Sequence, residues 1–134
     1  MNRLTFFILV IAIYFGVNEA CKLNELVFKN ELGVGTRLRY YCRNGDYNSG
    51  FRYINHNAKE GIRFKDTGTD KSLWQCYLHH GVNMKLFILI EAYVPITNSP
   101  QCGQLREYTA RPDAVYFRKD SYPRKALKPW KSLE

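Results

Sequence analysis

The sequence predicts an all-β protein, a small secreted β-sandwich of about eight mostly antiparallel strands closed by two disulfides. Three observations carry that prediction. Short runs rich in β-branched and aromatic residues recur at intervals of about ten positions, separated by Gly, Asn, Asp and Pro clusters. No run sustains a helical period of useful length. All four cysteines, Cys21, Cys42, Cys76 and Cys102, follow an apolar leader, which is the pattern of a small exported domain stapled by cystines.

The leader is "MNRLTFFILVIAIYFGVNEA". Arg3 precedes an unbroken apolar run over residues 6–15, and Ala20 offers a small residue at the expected cleavage point. The run is shorter than the roughly 20 residues that cross a bilayer, so residues 1–20 read as a removed signal peptide and the product as secreted and extracellular. Asn18 stands where a lipoprotein box needs an aliphatic residue, which argues against acylation of Cys21. Residues 21–120 are expected to form one sandwich domain, since an exported part of this size buries one core and not two. Residues 121–134 read as a basic tail. Arg3 and Glu19 cancel, so the exported part keeps the net charge of +8.

"ELVFKN" (25–30) is the first strand, ended by the glycines of "ELGVG". "TRLRYYCR" (36–43) alternates, with Leu38, Tyr40 and Cys42 on one face and Arg37, Arg39, Tyr41 and Arg43 on the other. "NGDYNSG" is a loop by composition. "FRYIN", "GIRFKD", "SLWQCYLHH", "MKLFILIEAY", "QLREYT" and "AVYFRKD" supply six more strands. Periodicity alone also permits a buried helix in "MKLFILIEAY"; its Phe, Ile and Tyr content and the flanking Gly81 and Pro95 favour a strand. Gly81-Val82-Asn83 then turns one strand into the next, with Trp74, Cys76 and Leu78 facing the core and His79 and His80 at a strand end. In "RKDSYPRKALKPWKSLE", Pro123 and Pro129 discourage regular structure. Order is expected to about Asp120, followed by a looser basic segment with Trp130 as an anchor. Asn48 and Asn98 have Ser next to them rather than two residues on, so no N-linked glycan is expected.

The residues that suggest chemistry are few. His79 and His80 are adjacent, so on a strand they point to opposite faces and cannot chelate one ion together. His56 is alone in a polar loop, and neither a metal nor a cofactor is expected. Cys76 reads as half of a cystine rather than a nucleophile, because an even cysteine count in an oxidising compartment leaves no free thiolate. A secreted basic hydrolase, a nuclease with His56 beside Glu60 or Glu91, is the catalytic alternative, but no local motif joins those residues. The expectation is therefore a non-enzyme. The basic surplus, with Arg37, Arg39 and Arg43 on one strand face and Tyr41 among them, suits a polyanionic partner such as an anionic cell-wall or membrane surface. Nucleic acid is not an expected partner of an exported protein.

The ordered set "N-x-L-G-x-G-x-x-L-x-Y-x-C-R" (30–43), "GDYNSG", "W-x-C" (74–76), "CGQLREYTARPDAVYF" (102–117) and a closing Trp130 resembles the plant self-incompatibility S1 family, also called S-protein homologues. The resemblance covers essentially the whole exported chain. It implies a small disulfide-bonded β-sandwich without enzymatic activity, acting as an extracellular ligand. The family's best-known members are pistil ligands recognised by a receptor on pollen, and recognition is attributed to hydrophilic inter-strand loops. The matching positions here are residues 44–49 and 95–101, so Asp46, Tyr47, Asn48, Asn98 and Gln101 are the candidate contacts of a cell-surface receptor, with the protein as a monomer. The chain departs from the family in three places. Arg106 stands two before Tyr108 where many members have a cysteine before a tryptophan, and Cys21 compensates. Asp113-Ala114 replaces the usual Asp-Gly, which implies a turn without positive φ. The loop after the second strand has only Asp46 as an acid. The four cysteines admit three pairings. Position favours Cys42–Cys76 as an inward pair bridging the core, leaving Cys21 with Cys102.

Overall fold

The structure, a computed structural model, describes residues 21–133; the expected signal peptide, residues 1–20, lies outside the described residues. The eight expected strands are all present: β1 (Asn24–Asn30), β2 (Leu38–Arg43), β3 (Arg52–Ile54), β4 (Lys59–Phe64), β5 (Trp74–His80), β6 (Leu86–Tyr93), β7 (Leu105–Ala110) and β8 (Ala114–Lys119). Two more follow in the segment expected to be looser, β9 (Lys125–Pro129) and β10 (Lys131–Ser132). The strands form two five-stranded sheets, ordered β4-β1-β7-β8-β9 and β10-β6-β5-β2-β3. β1 and β7 run parallel and the remaining pairings are antiparallel.

Alternation decides the layers. Leu26 and Phe28 of β1 and Tyr108 and Ala110 of β7 face Leu38, Tyr40 and Cys42 of β2, Trp74, Cys76 and Leu78 of β5, and Ile88, Ile90 and Ala92 of β6, and all are buried. Phe28 stacks on Tyr40 of the opposite sheet at 4.8 Å and on Tyr108 of its own sheet at 5.7 Å. Burying such a ring contributes roughly 1.5–3 kcal/mol. Tyr108 also donates its hydroxyl to the Ala92 carbonyl of the other sheet at 2.6 Å, and burial pushes its phenol up to about 12. The hairpin of β5 and β6 turns through residues 81–85, where Gly81, Asn83 and Met84 take positive φ. Neither Asp113 nor Ala114 does so, among the described residues.

Both lateral sides of the sandwich are crossed by chain. β3 and β4 are consecutive edge strands of opposite sheets, and so are β9 and β10. The tail runs as strand despite Pro129 because that residue lies on an edge, where the missing N–H has no ladder partner to lose. Trp130 joins the two: its ring meets that of His80 at 4.2 Å, and its Nε1 donates to the Arg111 carbonyl at 2.7 Å.

The structure joins Cys42 to Cys76 and Cys21 to Cys102. The first bridge differs from the expected geometry. Cys42 and Cys76 are direct cross-strand partners of β2 and β5 within one sheet, so the bridge lies flat in that sheet's inner surface rather than spanning the core. Inward-facing residues on alternating strands fit either arrangement, and only the strand pairing separates them.

Candidate functional site

Residues 44–51, 65–73 and 94–104 connect strands at one end of the sandwich, where β1 also begins. The two stretches that carry Asp46, Tyr47, Asn48, Asn98 and Gln101 therefore share one pole, with 65–73 between them. A Cβ on Gly45 would lie 3.9 Å from the Lys71 backbone, and one on Gly68 would meet Pro100 at 3.2 Å.

The 44–50 loop is organised by its own side chains. Asn44 Oδ1 accepts the N–H groups of Asp46 and Tyr47 at 3.0 and 2.8 Å, a local turn of the kind short polar side chains favour. Asn48 Oδ1 accepts the Gly50 N–H, and Ser49 Oγ accepts the Cys42 N–H, each at 2.9 Å. Asp46 and Asn48 are exposed; Tyr47 is 51% exposed with its ring edge-on to Trp74 at 5.7 Å.

The 94–104 loop is long, and three fixings hold it. Asn24, fully buried, donates to the Gln101 carbonyl and accepts the Gln104 N–H, both at 2.9 Å. The Cys21–Cys102 bridge ties the loop to the start of the described chain, assisted by Gly103 N–H donating to Lys22 O at 2.9 Å. Asp66 is only 3% exposed, and its carboxylate accepts the Tyr93 hydroxyl at 2.5 Å, the Gln101 N–H at 3.1 Å and the Gly68 N–H at 2.7 Å. Burial alone would raise this carboxyl's pKa; those hydrogen bonds and the nearby charge of Arg106 outweigh it and hold the pKa below the ordinary value. Burial and Asp66 together push the Tyr93 phenol up. Asn98 sits at the tip in the left-handed region, φ 59°, with its N–H on the Gly68 carbonyl. Gln101 is half-buried, with its backbone occupied by Asp66 and Asn24 and its Nε2 donating to Ser99 O at 3.0 Å.

Asn24 and Asp66 are the functional-site residues that sequence reading missed. A buried clamp and a solvated loop residue have the same composition. "DTG" did carry a signal for Asp66, since an Asp two before a positive-φ Gly (Gly68, φ 70°) is an Asx-turn pattern.

The catalytic candidates are not assembled. Glu60 Oε1 accepts the Tyr40 hydroxyl at 2.9 Å and Arg52 Nε at 3.1 Å, and burial with this carboxylate pushes the Tyr40 phenol up. Glu91 is on β6, while His56 follows β3, with β5 and β2 between those strands. His79 and His80 point to opposite faces of β5, and burial lowers the pKa of both, with the Arg39 charge adding to the effect at His79. All four cysteines are paired. Among the described residues, no group of three or more His, Cys, Asp or Glu is placed to hold a metal ion.

The family model described as plant self-incompatibility protein S1 matches residues 25–130. S-protein homolog 15 of Arabidopsis thaliana is 49% identical over 132 residues, 98% of this chain and 100% of the relative. S-protein homolog 25 of the same plant is 40% identical, covering 87% of this chain and 88% of its own. A solved structure of a Self-Incompatibility Protein Homologue, from what is described as a widespread family of small, highly stable, secreted plant proteins, superimposes with a TM-score of 0.71 at 44% identity, covering 84% of this chain and 98% of that one.

Proposed function

Because the chain belongs to the plant self-incompatibility S1 family, we propose that it is a non-catalytic extracellular ligand, read by a cell-surface receptor through the loops at the Asp66 pole. One observation carries this reading: two polar loops distant in sequence share one end of a rigid sandwich, and buried Asn24 and Asp66 fix the longer of them. Display of this kind favours recognition because exposed side chains held on fixed backbone lose little further freedom on binding. Asp46, Tyr47, Asn48 and Asn98 are the contacting side chains. Gln101 contributes through the backbone that Asp66 and Asn24 hold.

The test uses the labelled, oxidised secreted protein on plant protoplasts, from which the wall has been removed. Saturable binding is expected, and combined Asp46→Ala, Tyr47→Ala and Asn48→Ala substitution weakens it about tenfold or more, since receptor contacts concentrate in a few side chains. Lys125→Gln with Lys128→Gln leaves it unchanged. Loop variants that bind like the wild type overturn the receptor reading. Ribonuclease activity abolished by His56→Ala overturns the non-catalytic one.

A further inference from the structure

The outer face of the β10-β6-β5-β2-β3 sheet carries a grid that the loop reading does not use. Strand register places Tyr53, Arg39, His79, Phe87 and Lys131 in one row across all five strands. The next row has Tyr41, Tyr77 and Leu89, with Phe51 edge-on to Tyr41 at 5.3 Å and Tyr41 stacked on Tyr77 at 4.7 Å. Guanidinium groups lie over these rings: Arg37 on Tyr53 at 4.2 Å, Arg39 on Phe51 at 4.3 Å, and Arg43 on Tyr77 at 5.7 Å.

These arginines differ from Arg52, Arg63, Arg111, Arg118 and Arg124, each of which reaches a glutamate. Among the described residues, Arg37, Arg39 and Arg43 have no carboxylate partner. Arg43 meets only Gln75 and Tyr77, at 3.4 and 3.5 Å, and Arg39 Nε is buried with no hydrogen-bond partner. Glu91 is the acid of this face, at its margin opposite Gln75. Stacking therefore orients the guanidinium forks without pairing any of the three with a carboxylate.

We infer that this face is a second binding site, for a linear polycarboxylate polysaccharide of the uronate class. The chemistry selects the ligand. A guanidinium fork matches a carboxylate in bidentate geometry, and a ring that already holds its planar cation sets the fork's direction. A chain of uronates repeats the carboxylate along a line, which suits a grid about 19 Å wide over four strand spacings, with Arg39 and Arg43 about 13 Å apart along β2. Nucleobases fit less well, because stacking needs open ring faces, and those of Phe51 and Tyr53 are covered by guanidinium groups. Phe51, at the end of the 44–51 connection, borders the grid, but the site includes none of Asp46, Tyr47, Asn48, Asn98 and Gln101, so either assignment stands or falls without the other.

The experiment measures binding of the oxidised secreted protein to de-esterified polygalacturonate at physiological ionic strength. The comparison ligands are the methyl-esterified polymer, single-stranded RNA and phosphatidylserine vesicles. Expected are binding to the de-esterified polymer above all three, and a loss of about tenfold in the Arg37→Gln, Arg39→Gln, Arg43→Gln protein. Arg124→Gln, Lys125→Gln, Lys128→Gln, all in the tail and outside the grid, removes the same charge and is expected to cost much less. Replacing the three arginines by lysine keeps the charge but not the fork, and also weakens binding severalfold. Unchanged thermal melting, with Arg37→Gln alone as the mildest variant, separates lost contacts from lost fold. Equal loss in the tail variant, equal binding of the methyl ester, or tighter binding to RNA or vesicles overturns the assignment.

Discussion

Asp66→Ala tests the claim that one buried carboxylate holds the loop pole. The substitution removes the acceptor of the Tyr93 hydroxyl, the Gln101 N–H and the Gly68 N–H. A hydrogen bond to a charged group contributes about 1.5–3 kcal/mol, but the three share one acceptor and do not simply add. The cost is set by donors left buried without partners, and about 3–5 kcal/mol is expected, as when one member of a buried pair is deleted. Tyr93→Phe removes one donor and leaves the carboxylate two partners, for about 1–2 kcal/mol. The double variant should fall short of the sum, because both remove the same bond. Urea unfolding with the disulfides intact measures each value, and amide exchange at Gly68 and Gln101 should accelerate in Asp66→Ala while β5 stays protected. A loss below about 1 kcal/mol, or exchange unchanged at both amides, would refute the reasoning. The pH dependence has a definite sign. The native pKa of Asp66 is depressed, so the unfolded chain binds its proton more readily. The stabilisation is present above the unfolded value near 3.8 and is lost as pH falls through the native one. Asp66→Asn should flatten that part of the stability profile.

Two other outcomes follow from the bridges and the tail. Replacing Cys21 and Cys102 together by alanine opens a loop of 81 residues, for which chain entropy predicts a loss of up to about 4.5 kcal/mol, read as a lower urea midpoint; a loss below about 1 kcal/mol would place the bridge outside the stabilising framework. Trp130→Ala removes the bond to Arg111 and the contact with His80, at about 1–3 kcal/mol. Limited trypsin digestion should then cut after Arg124 and Lys125 while the remaining strands survive, whereas a tail as resistant as the wild type's would show that β9 holds without its anchor.

Strand content and facing were legible in the sequence because they are local. Leu38, Tyr40 and Cys42 alternate with Arg37, Arg39, Tyr41 and Arg43, and period-2 alternation at a half-buried sheet leaves no other way to separate apolar from charged side chains. Export, even cysteines and the ordered family motif were equally local. β9 was not legible: all five of its residues are exposed, so it shows no alternation, and its proline argues for a loop until the strand is known to lie on an edge. The clamps were hidden for a related reason. Asn24, Asn30 and Asp66 are polar residues whose burial depends on which segments arrive beside them. Asn30 donates to Thr36 O and Ile54 O, and Asn24 reaches residues 77 and 80 positions away.

By itself, then, the sequence determined the first eight strands, which side of each turns inward, and that the chain carries the pattern of an exported, cystine-bonded protein. The tertiary structure decided that Cys42 and Cys76 face each other within one sheet and that residues 44–50 and 94–104 meet at one pole. It also decided that the unpaired arginines lie in register with rings from neighbouring strands. Each of these depends on strand order and register, which are fixed by contacts between segments far apart in the chain, while alternation records only the environment of one strand at a time.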